Sequence, residues 1–125
     1  MKDYTEAIVH YKKYIKLSAE PSANAWENLS SVFGKQENYP DALNACKEAL
    51  KINPKKIIAQ ENQAVAFWKS GKLTEAQNGL EQLLKQLEED KEDLKWCLRN
   101  LIKICKEQND TDGTQKYEEK LKDDD

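Results

Sequence analysis

The sequence predicts an all-α protein, a right-handed α-solenoid of about seven helices that pair as antiparallel hairpins. Residues recur at an offset of 34 positions, so that Glu27 and Phe33 return as Glu61 and Phe67. Within each segment, apolar side chains follow steps of three and four residues, which indicates amphipathic helices. Charged residues make up 34% of the chain and apolar residues 38%, a balance typical of helices with wide solvated faces. A period in this range is typical of stacked helical hairpins.

The ends of the predicted helices are set by proline, glycine and capping residues. Pro21 and Pro54 end helices because proline disfavours the helical conformation of the residue before it, and Gly71 supplies a C-terminal turn. Thr74, followed three residues later by Gln77, predicts a capping box at the start of a helix. The predicted helices cover residues 2–17, 23–36, 39–52, 56–69, 74–88, 94–108 and 113–122.

One stretch, residues 23–56, resembles the tetratricopeptide repeat (TPR) at every position of that family's motif. The residues that carry the resemblance are Trp26, Leu29, Ser30, Phe33, Tyr39, Ala42, Ala49 and Pro54. Residues 57–90 resemble a second copy, although Gln60 stands where the motif has a large aromatic residue, and Gln63 and Leu83 also depart from it. The resemblance implies that the first helix of each hairpin lines a concave surface.

The domain organisation follows from this resemblance. Residues 1–122 form a single domain in which 2–17 match only the second helix of a repeat. Two full repeats, 23–56 and 57–90, come next, and 94–122 form a degenerate C-terminal repeat or cap, while 123–125 are an acidic tail. We expect the partial repeat to be either an N-terminal cap or the remainder of a longer array.

Small side chains occupy the positions where two helices of a hairpin would approach most closely. Antiparallel helices whose axes lie about 8–10 Å apart need small residues at their crossing. Ser30 would face Ala42 and Ala49 in one hairpin, and Ala64 would face Ala76 in the next. These five residues are therefore predicted to be buried.

The charge distribution argues against nucleic acid as a partner. The net charge of −3 equals the charge of the three terminal aspartates, Asp123–Asp125, so the rest of the chain is close to neutral. Arg99 is the only arginine, whereas nucleic-acid-binding proteins usually carry a basic surplus rich in arginine.

The cysteines and the hydropathy pattern predict a cytoplasmic protein, with the nucleus as the alternative. Three cysteines without paired spacing do not form a disulfide framework, and we expect Cys46, Cys97 and Cys105 to be reduced and buried. The charged N-terminus lacks the apolar core of a signal peptide. No apolar run approaches the roughly 20 residues that span a bilayer, so no membrane contact is expected.

The residues predicted to line the concave groove follow from the register of the repeats. One column holds Asn28, Asn62 and Asn100, whose amides both donate and accept hydrogen bonds and are suited to an extended peptide backbone. Beside them, Ile58, Trp68 and Trp96 are candidate apolar contacts, and packing between adjacent repeats is the alternative for these residues, more so for Trp96 than for Trp68. The remaining groove positions are Asn24, Glu27, Ser31, Lys35, Glu61, Val65, Lys69, Arg99, Lys103 and Lys106.

The TPR resemblance implies a protein or peptide partner and argues against one particular class. Family members that bind the C-terminal carboxylate of chaperones use lysine and asparagine, then asparagine, then lysine and arginine in successive repeats. With Asn28 as the middle asparagine, the last pair would be Ile58 and Asn62, which carry no positive charge. A chaperone tail is therefore not the expected partner.

An enzymatic function finds no support in the residues. His10 is the only histidine and falls on an exposed flank of the first helix, and no catalytic set, metal-ligand cluster or cofactor motif is present. The sequence predicts a non-catalytic protein–protein interaction module. The alternative is a structural spacer or self-association segment in which Tyr4, Ile8 and Tyr11 at the N-terminal edge dock a second chain.

Overall fold

The computed structural model describes residues 3–20, 22–87 and 91–123, and these form helices and no strand. This confirms the all-α prediction for the described part of the chain. The charge run at 88–90 and the tail residues 124 and 125 lie outside the described residues. The helices are α1 (Tyr4–Leu17), α2 (Ala23–Lys35), α3 (Tyr39–Ile52), α4 (Ile57–Lys69), α5 (Leu73–Gln86), α6 (Lys91–Glu107) and α7 (Thr111–Asp123).

Side-chain caps begin helices α1, α2 and α3, whereas α4 and α5 begin without one. The Ser22 side chain accepts a hydrogen bond from the Ala25 amide at 3.3 Å, as expected of an N-terminal cap. The predicted capping box at Thr74 is wrong, because α5 begins one residue earlier and follows Lys72 without a side-chain cap. The Thr74 hydroxyl instead bonds the side chain of Gln108 on α6, at 3.3 Å.

One type of turn ends every first helix of a hairpin. A single residue with positive φ follows α2, α4 and α6: Glu37 (60°), Gly71 (82°) and Asn109 (60°). The next backbone amide then reaches back five residues to a carbonyl of the helix, in a Schellman turn. These bonds are Asn38 N to Phe33 O at 2.9 Å, Lys72 N to Phe67 O at 2.8 Å and Asp110 N to Cys105 O at 2.8 Å.

The third hairpin carries one additional helical turn. Helix α6 has 17 residues, whereas α2 and α4 have 13 each, and it begins at Lys91 instead of the predicted residue 94. The four additional residues fit one turn of 3.6 residues, so the later positions of α6 keep the register of α4. Helix α7 likewise begins two residues earlier than predicted, and it includes Asp123, the first residue of the predicted tail.

Consecutive helices pack against one another along the chain, and α2 also contacts α4 directly. The first helices of the first two hairpins therefore adjoin, and a side-chain bond from Trp68 to Glu107 links α4 to α6. The predicted small residues lie at the crossings and are buried: Ser30, Ala42, Ala49, Ala64 and Ala76 are all at most 2% exposed. The core of large side chains is densest between α5, α6 and α7, where Leu80, Leu83, Leu98, Leu101 and Ile104 are fully buried.

The three cysteines are free and buried, as the sequence predicted. Burial raises the pKa of Cys46 to about 11 and that of Cys97 to about 12, because a thiolate loses its hydration inside a protein. Among the described helices, none is both long and apolar enough to cross a membrane.

Candidate interaction surface on the first helices

The first helices α2, α4 and α6 are joined by side-chain hydrogen bonds, and we call their shared exposed side the first-helix surface. Lys56, just before α4, donates to the side chain of Asn24 on α2. Further along, Asn62 on α4 bonds to α2, and Trp68 on α4 bonds to α6. These contacts fix the spacing of the three helices, so the surface is formed before any partner binds.

The three asparagines of the predicted column have different surroundings. Asn28 is exposed and makes no side-chain hydrogen bond within the described residues. The Asn62 amide donates to the hydroxyls of Ser30 and Ser31, at 3.0 Å each. The Asn100 amide donates to the carbonyl of Trp96 on its own helix, at 2.7 Å. Of the three, only Asn28 has both amide hydrogens available to a partner.

The serine hydroxyls that bind Asn62 also stabilise the turn of α2 before them. Ser30 donates to the carbonyl of Glu27 at 2.6 Å, and Ser31 donates to the same carbonyl at 3.2 Å. The Glu27 side chain is buried, with 9% of the residue exposed. Glu27 therefore lies mainly below the first-helix surface, although the sequence places it in the groove.

Trp68 bridges the second and third hairpins. Its Nε1 donates to a carboxylate oxygen of Glu107 on α6 at 2.8 Å. The ammonium of Lys69 lies 4.8 Å from the centre of its ring, a favourable cation–π geometry. The half-buried indole thus fills the space between α4 and α6.

The structure corrects one groove position in the third hairpin. Lys106 points towards α7, where its ammonium lies 3.9 Å from the Glu118 carboxylate. Its neighbour Glu107 faces α4 and accepts the Trp68 bond. Glu107, rather than Lys106, therefore corresponds to Lys69 and Lys35 in the earlier hairpins.

A cleft of about 400 Å³ opens between α2 and α4. This volume lies within the usual range for ligand pockets, about 300–1,000 Å³. Its floor is apolar and its rim carries hydroxyls, an amide and two ammoniums. The lining residues are Ser30, Ser31, Gly34, Lys35, Tyr39, Ala42, Asn62, Val65, Ala66 and Lys69.

The two lysines give the cleft a positive rim. Lys35 ends α2 and Lys69 ends α4, and both side chains are exposed. Within the described residues, neither ammonium has an ion-pair partner. A carboxylate of a partner would therefore meet two unneutralised charges at this rim.

The other predicted groove residues are divided between the surface and the core. Asn24, Ile58, Arg99 and Lys103 are exposed, with Ile58 at 52%. Trp96 is half-buried against the core of the C-terminal hairpins. Glu61 and Val65 are half-buried, and Val65 lines the cleft. Trp96 thus packs between helices, which is one of the two uses that the sequence left open.

Cys46 is a buried thiol next to the cleft residue Ser30, and desolvation raises its pKa to about 11, so it stays protonated near neutral pH and is a poor nucleophile. Among the described residues, no group of three or more histidine, cysteine, aspartate or glutamate side chains is arranged to hold a metal ion. His10 is exposed on α1, and its ring contacts that of Tyr11.

Sequence reasoning missed Gly34, Tyr39, Ala66 and Glu107 as parts of this surface. Tyr39 enters the sequence analysis only as a motif residue of the repeat. A signal was available for Gly34, because the 34-residue offset pairs it with Trp68. The first hairpin therefore lacks a side chain at the position where the second hairpin has an indole.

Comparisons with known proteins agree with this architecture. A model of the tetratricopeptide repeat matches residues 35–96. Sperm-associated antigen 1 of Mus musculus is 34% identical over 88 residues, which are 70% of this chain and 9% of the antigen. The chain spans about a tenth of the length of the curated relatives it matches.

Two solved structures share the arrangement of helices. The crystal structure of MamA aligns with a TM-score of 0.87 at 18% identity, and the match covers 97% of this chain and 68% of MamA. The second TPR domain of human RPAP3, solved by NMR in complex with the HSP70 peptide SGPTIEEVD, aligns with a TM-score of 0.71 at 25% identity. That match covers 81% of this chain and 80% of the RPAP3 domain.

Proposed function

Because this chain belongs to the tetratricopeptide repeat family, we propose that it is a non-catalytic protein–protein interaction module. In this proposal a peptide or helix of a partner lies along the first-helix surface, which forms the concave side of the solenoid. The interaction is one of preformed recognition: exposed polar groups set the register of the partner, and the cleft between α2 and α4 takes an apolar side chain.

The observation that carries the proposal is the open cleft between α2 and α4, with Val65 and Ala66 in its wall and Asn62 at its edge. A pocket with apolar walls and a few polar groups at its rim is the usual form of a side-chain binding site. The RPAP3 domain, which was solved with an HSP70 peptide, supports a peptide as the ligand class.

The side chains present do not favour a chaperone C-terminus in the register of the family motif. Ile58, which is 52% exposed, would offer an apolar surface to the terminal carboxylate. Asn62 is already bonded to Ser30 and Ser31. The available positive charge lies instead at Lys35 and Lys69, nearer the ends of α2 and α4.

The test is a selection of binders from a random-peptide library displayed on phage. Peptides that bind are then titrated against the parent chain, against Asn28→Ala on the first-helix surface, and against Asn44→Ala on α3. Both asparagines are exposed, so neither substitution should unfold the chain. The proposal expects about a tenfold weaker affinity for Asn28→Ala and no change for Asn44→Ala. A library that yields no binder, or an effect confined to Asn44→Ala, would contradict it.

A second candidate function is self-association through the N-terminal helix. Ile8 and Tyr11, which the sequence offered for this contact, pack against the core of the first hairpin. The helix α1 instead exposes three other large apolar residues, Val9 (60%), Tyr14 (54%) and Leu17 (72%). Tyr14 and Leu17, three residues apart, are neighbours on the helix surface, and an exposed apolar patch often marks an interaction site. Sedimentation velocity over a range of concentrations tests this candidate. We expect a dimer whose population rises with concentration and that the substitution Leu17→Ser weakens. A sedimentation coefficient that is independent of concentration would rule it out.

A further inference from the structure

The cleft between α2 and α4 lies over a glycine where the next hairpin has a tryptophan. Gly34 and Trp68 occupy equivalent positions, three residues before the positive-φ residue that ends each first helix. A Cβ atom placed on Gly34 would have no neighbour within 4 Å. The space above Gly34 is therefore open in the first hairpin, whereas the equivalent space in the second is filled by an indole.

The second hairpin shows how an aromatic ring is held at this position. Trp68 receives the Lys69 ammonium 4.8 Å from its ring centre and gives its N–H to Glu107 on the following first helix. In the first hairpin, Lys35 takes the place of Lys69, and Lys69 takes the place of Glu107. Both Lys35 and Lys69 line the cleft.

The two sites therefore differ in the charge on the far side of the ring. It is negative in the second hairpin, where Glu107 lies, and positive in the first, where Lys69 lies. Where Trp68 meets a carboxylate, a ring over Gly34 would meet the Lys69 ammonium. An ammonium has three donors and no acceptor, so it cannot accept the N–H of an indole. It can pair with a carboxylate, and the lysine at the end of α2 can stack on a ring that carries no donor.

Resting on the proposed function, we propose that this cleft binds a phenylalanine side chain of a partner peptide whose adjacent acidic residue pairs with Lys35 and Lys69. The ring occupies the space that Trp68 fills in the next hairpin, between Gly34 and the wall formed by Val65 and Ala66. The carboxylate pairs with the two exposed ammoniums at the rim and offsets one of their two charges. The partner chemistry is thus an aromatic residue followed by an acidic one.

The experiment uses three fluorescein-labelled tetrapeptide amides as probes: Gly-Phe-Glu-Gly, Gly-Ala-Glu-Gly and Gly-Phe-Gln-Gly. Fluorescence anisotropy measures their binding to the whole chain. The first peptide is expected to bind about tenfold more tightly than each of the others, and added salt should reduce that advantage over the glutamine peptide. Equal binding of all three peptides, or no binding of the first up to its solubility limit, would overturn the proposal.

Two sets of variants locate the binding. Gly34→Trp fills the cleft from within and should weaken the first peptide about tenfold, whereas Gly34→Ala is the matched control and should bind close to the parent chain. The second set consists of Lys35→Gln and Lys69→Gln. Because both lysines are exposed, these variants should fold and allow the test even if Gly34→Trp does not fold. They should remove the preference for glutamate over glutamine, and an unchanged preference in both would contradict the proposal.

The outcomes separate this proposal from the function on which it rests. If phage-selected peptides bind the first-helix surface while the Gly-Phe-Glu-Gly probe does not bind the cleft, only the phenylalanine subsite is refuted. If no peptide binds that surface, both proposals are refuted.

Discussion

The substitution Asn62→Ala should destabilise the fold, although Asn62 belongs to a column chosen for its suitability to bind a peptide. Its amide makes two hydrogen bonds across the α2–α4 interface, to Ser30 and Ser31 at 3.0 Å each. A partly buried hydrogen bond contributes about 1 kcal/mol net. Because both serines keep their bonds to the Glu27 carbonyl, no hydroxyl hydrogen loses its acceptor. The expected loss is therefore about 2 kcal/mol.

The assay is equilibrium unfolding in urea, followed by circular dichroism. A loss of about 2 kcal/mol moves the midpoint by about 1 M at a typical urea slope of about 2 kcal/mol/M. The other asparagines of the column serve as matched controls. Asn28→Ala removes no hydrogen bond and should stay within about 0.5 kcal/mol of the parent, while Asn100→Ala, which removes one bond, should fall between them.

A double-mutant cycle attributes the loss to the proposed contact. Combined with Asn62→Ala, the substitution Ser31→Ala should cost about 1 kcal/mol less than it does alone, because one shared bond is already gone. The reasoning is refuted if Asn62→Ala and Asn28→Ala unfold at the same urea concentration. It is also refuted if the two substitutions of the cycle are simply additive.

Three further substitutions and one change of pH test the turns, the packing and the buried thiols. Glu37 adopts a φ of 60°, which glycine adopts more readily, so Glu37→Gly should raise the free energy of unfolding by about 0.5 kcal/mol. Gly71 also has a positive φ, so Gly71→Ala should lower the free energy of unfolding by about 1 kcal/mol. Urea midpoints measure both changes. Ala42, 2% exposed at the α2–α3 crossing, should tolerate leucine poorly, with Ala42→Leu lowering the free energy of unfolding by about 1–3 kcal/mol; a melting temperature equal to that of the parent would contradict this. Burial raises the pKa values of Cys46 and Cys97 from 9.0 to about 11 and about 12, so the unfolded chain releases thiol protons that the native chain retains. Stability should be insensitive to these groups below pH 9 and fall as the pH rises towards 11, and urea midpoints that do not fall over this interval would contradict the prediction.

The architecture could be predicted from the sequence because the repeat places small residues where the helices cross. Alanine at 42, 49, 64 and 76 reports how closely the helices approach, and burial of all four confirms that interpretation. The end of α4 could be predicted as well, because Gly71 has the positive φ that a C-terminal turn needs. These features depend on one residue type in one local geometry, although the local signal for a capping box at Thr74 was misleading.

Contacts between hairpins could not be predicted in the same way. Spacing placed Asn62 on the first-helix surface, but its bonds to Ser30 and Ser31 depend on the side-chain conformation and on the distance to α2. A shift of one residue rotates a side chain by about 100° around a helix. That rotation explains why Lys106 faces α7 while Glu107 faces α4, a distinction of one position in the register of α6.

The most direct test of the whole account is a chemical-shift map of the ¹⁵N-labelled chain with a phage-selected peptide. We expect the largest shift changes on α2 and α4 around Gly34, Lys35 and Val65, with smaller changes on the exposed side of α6. Changes concentrated instead on α1 around Val9 and Leu17, or on the outer helices α3, α5 and α7, would contradict it.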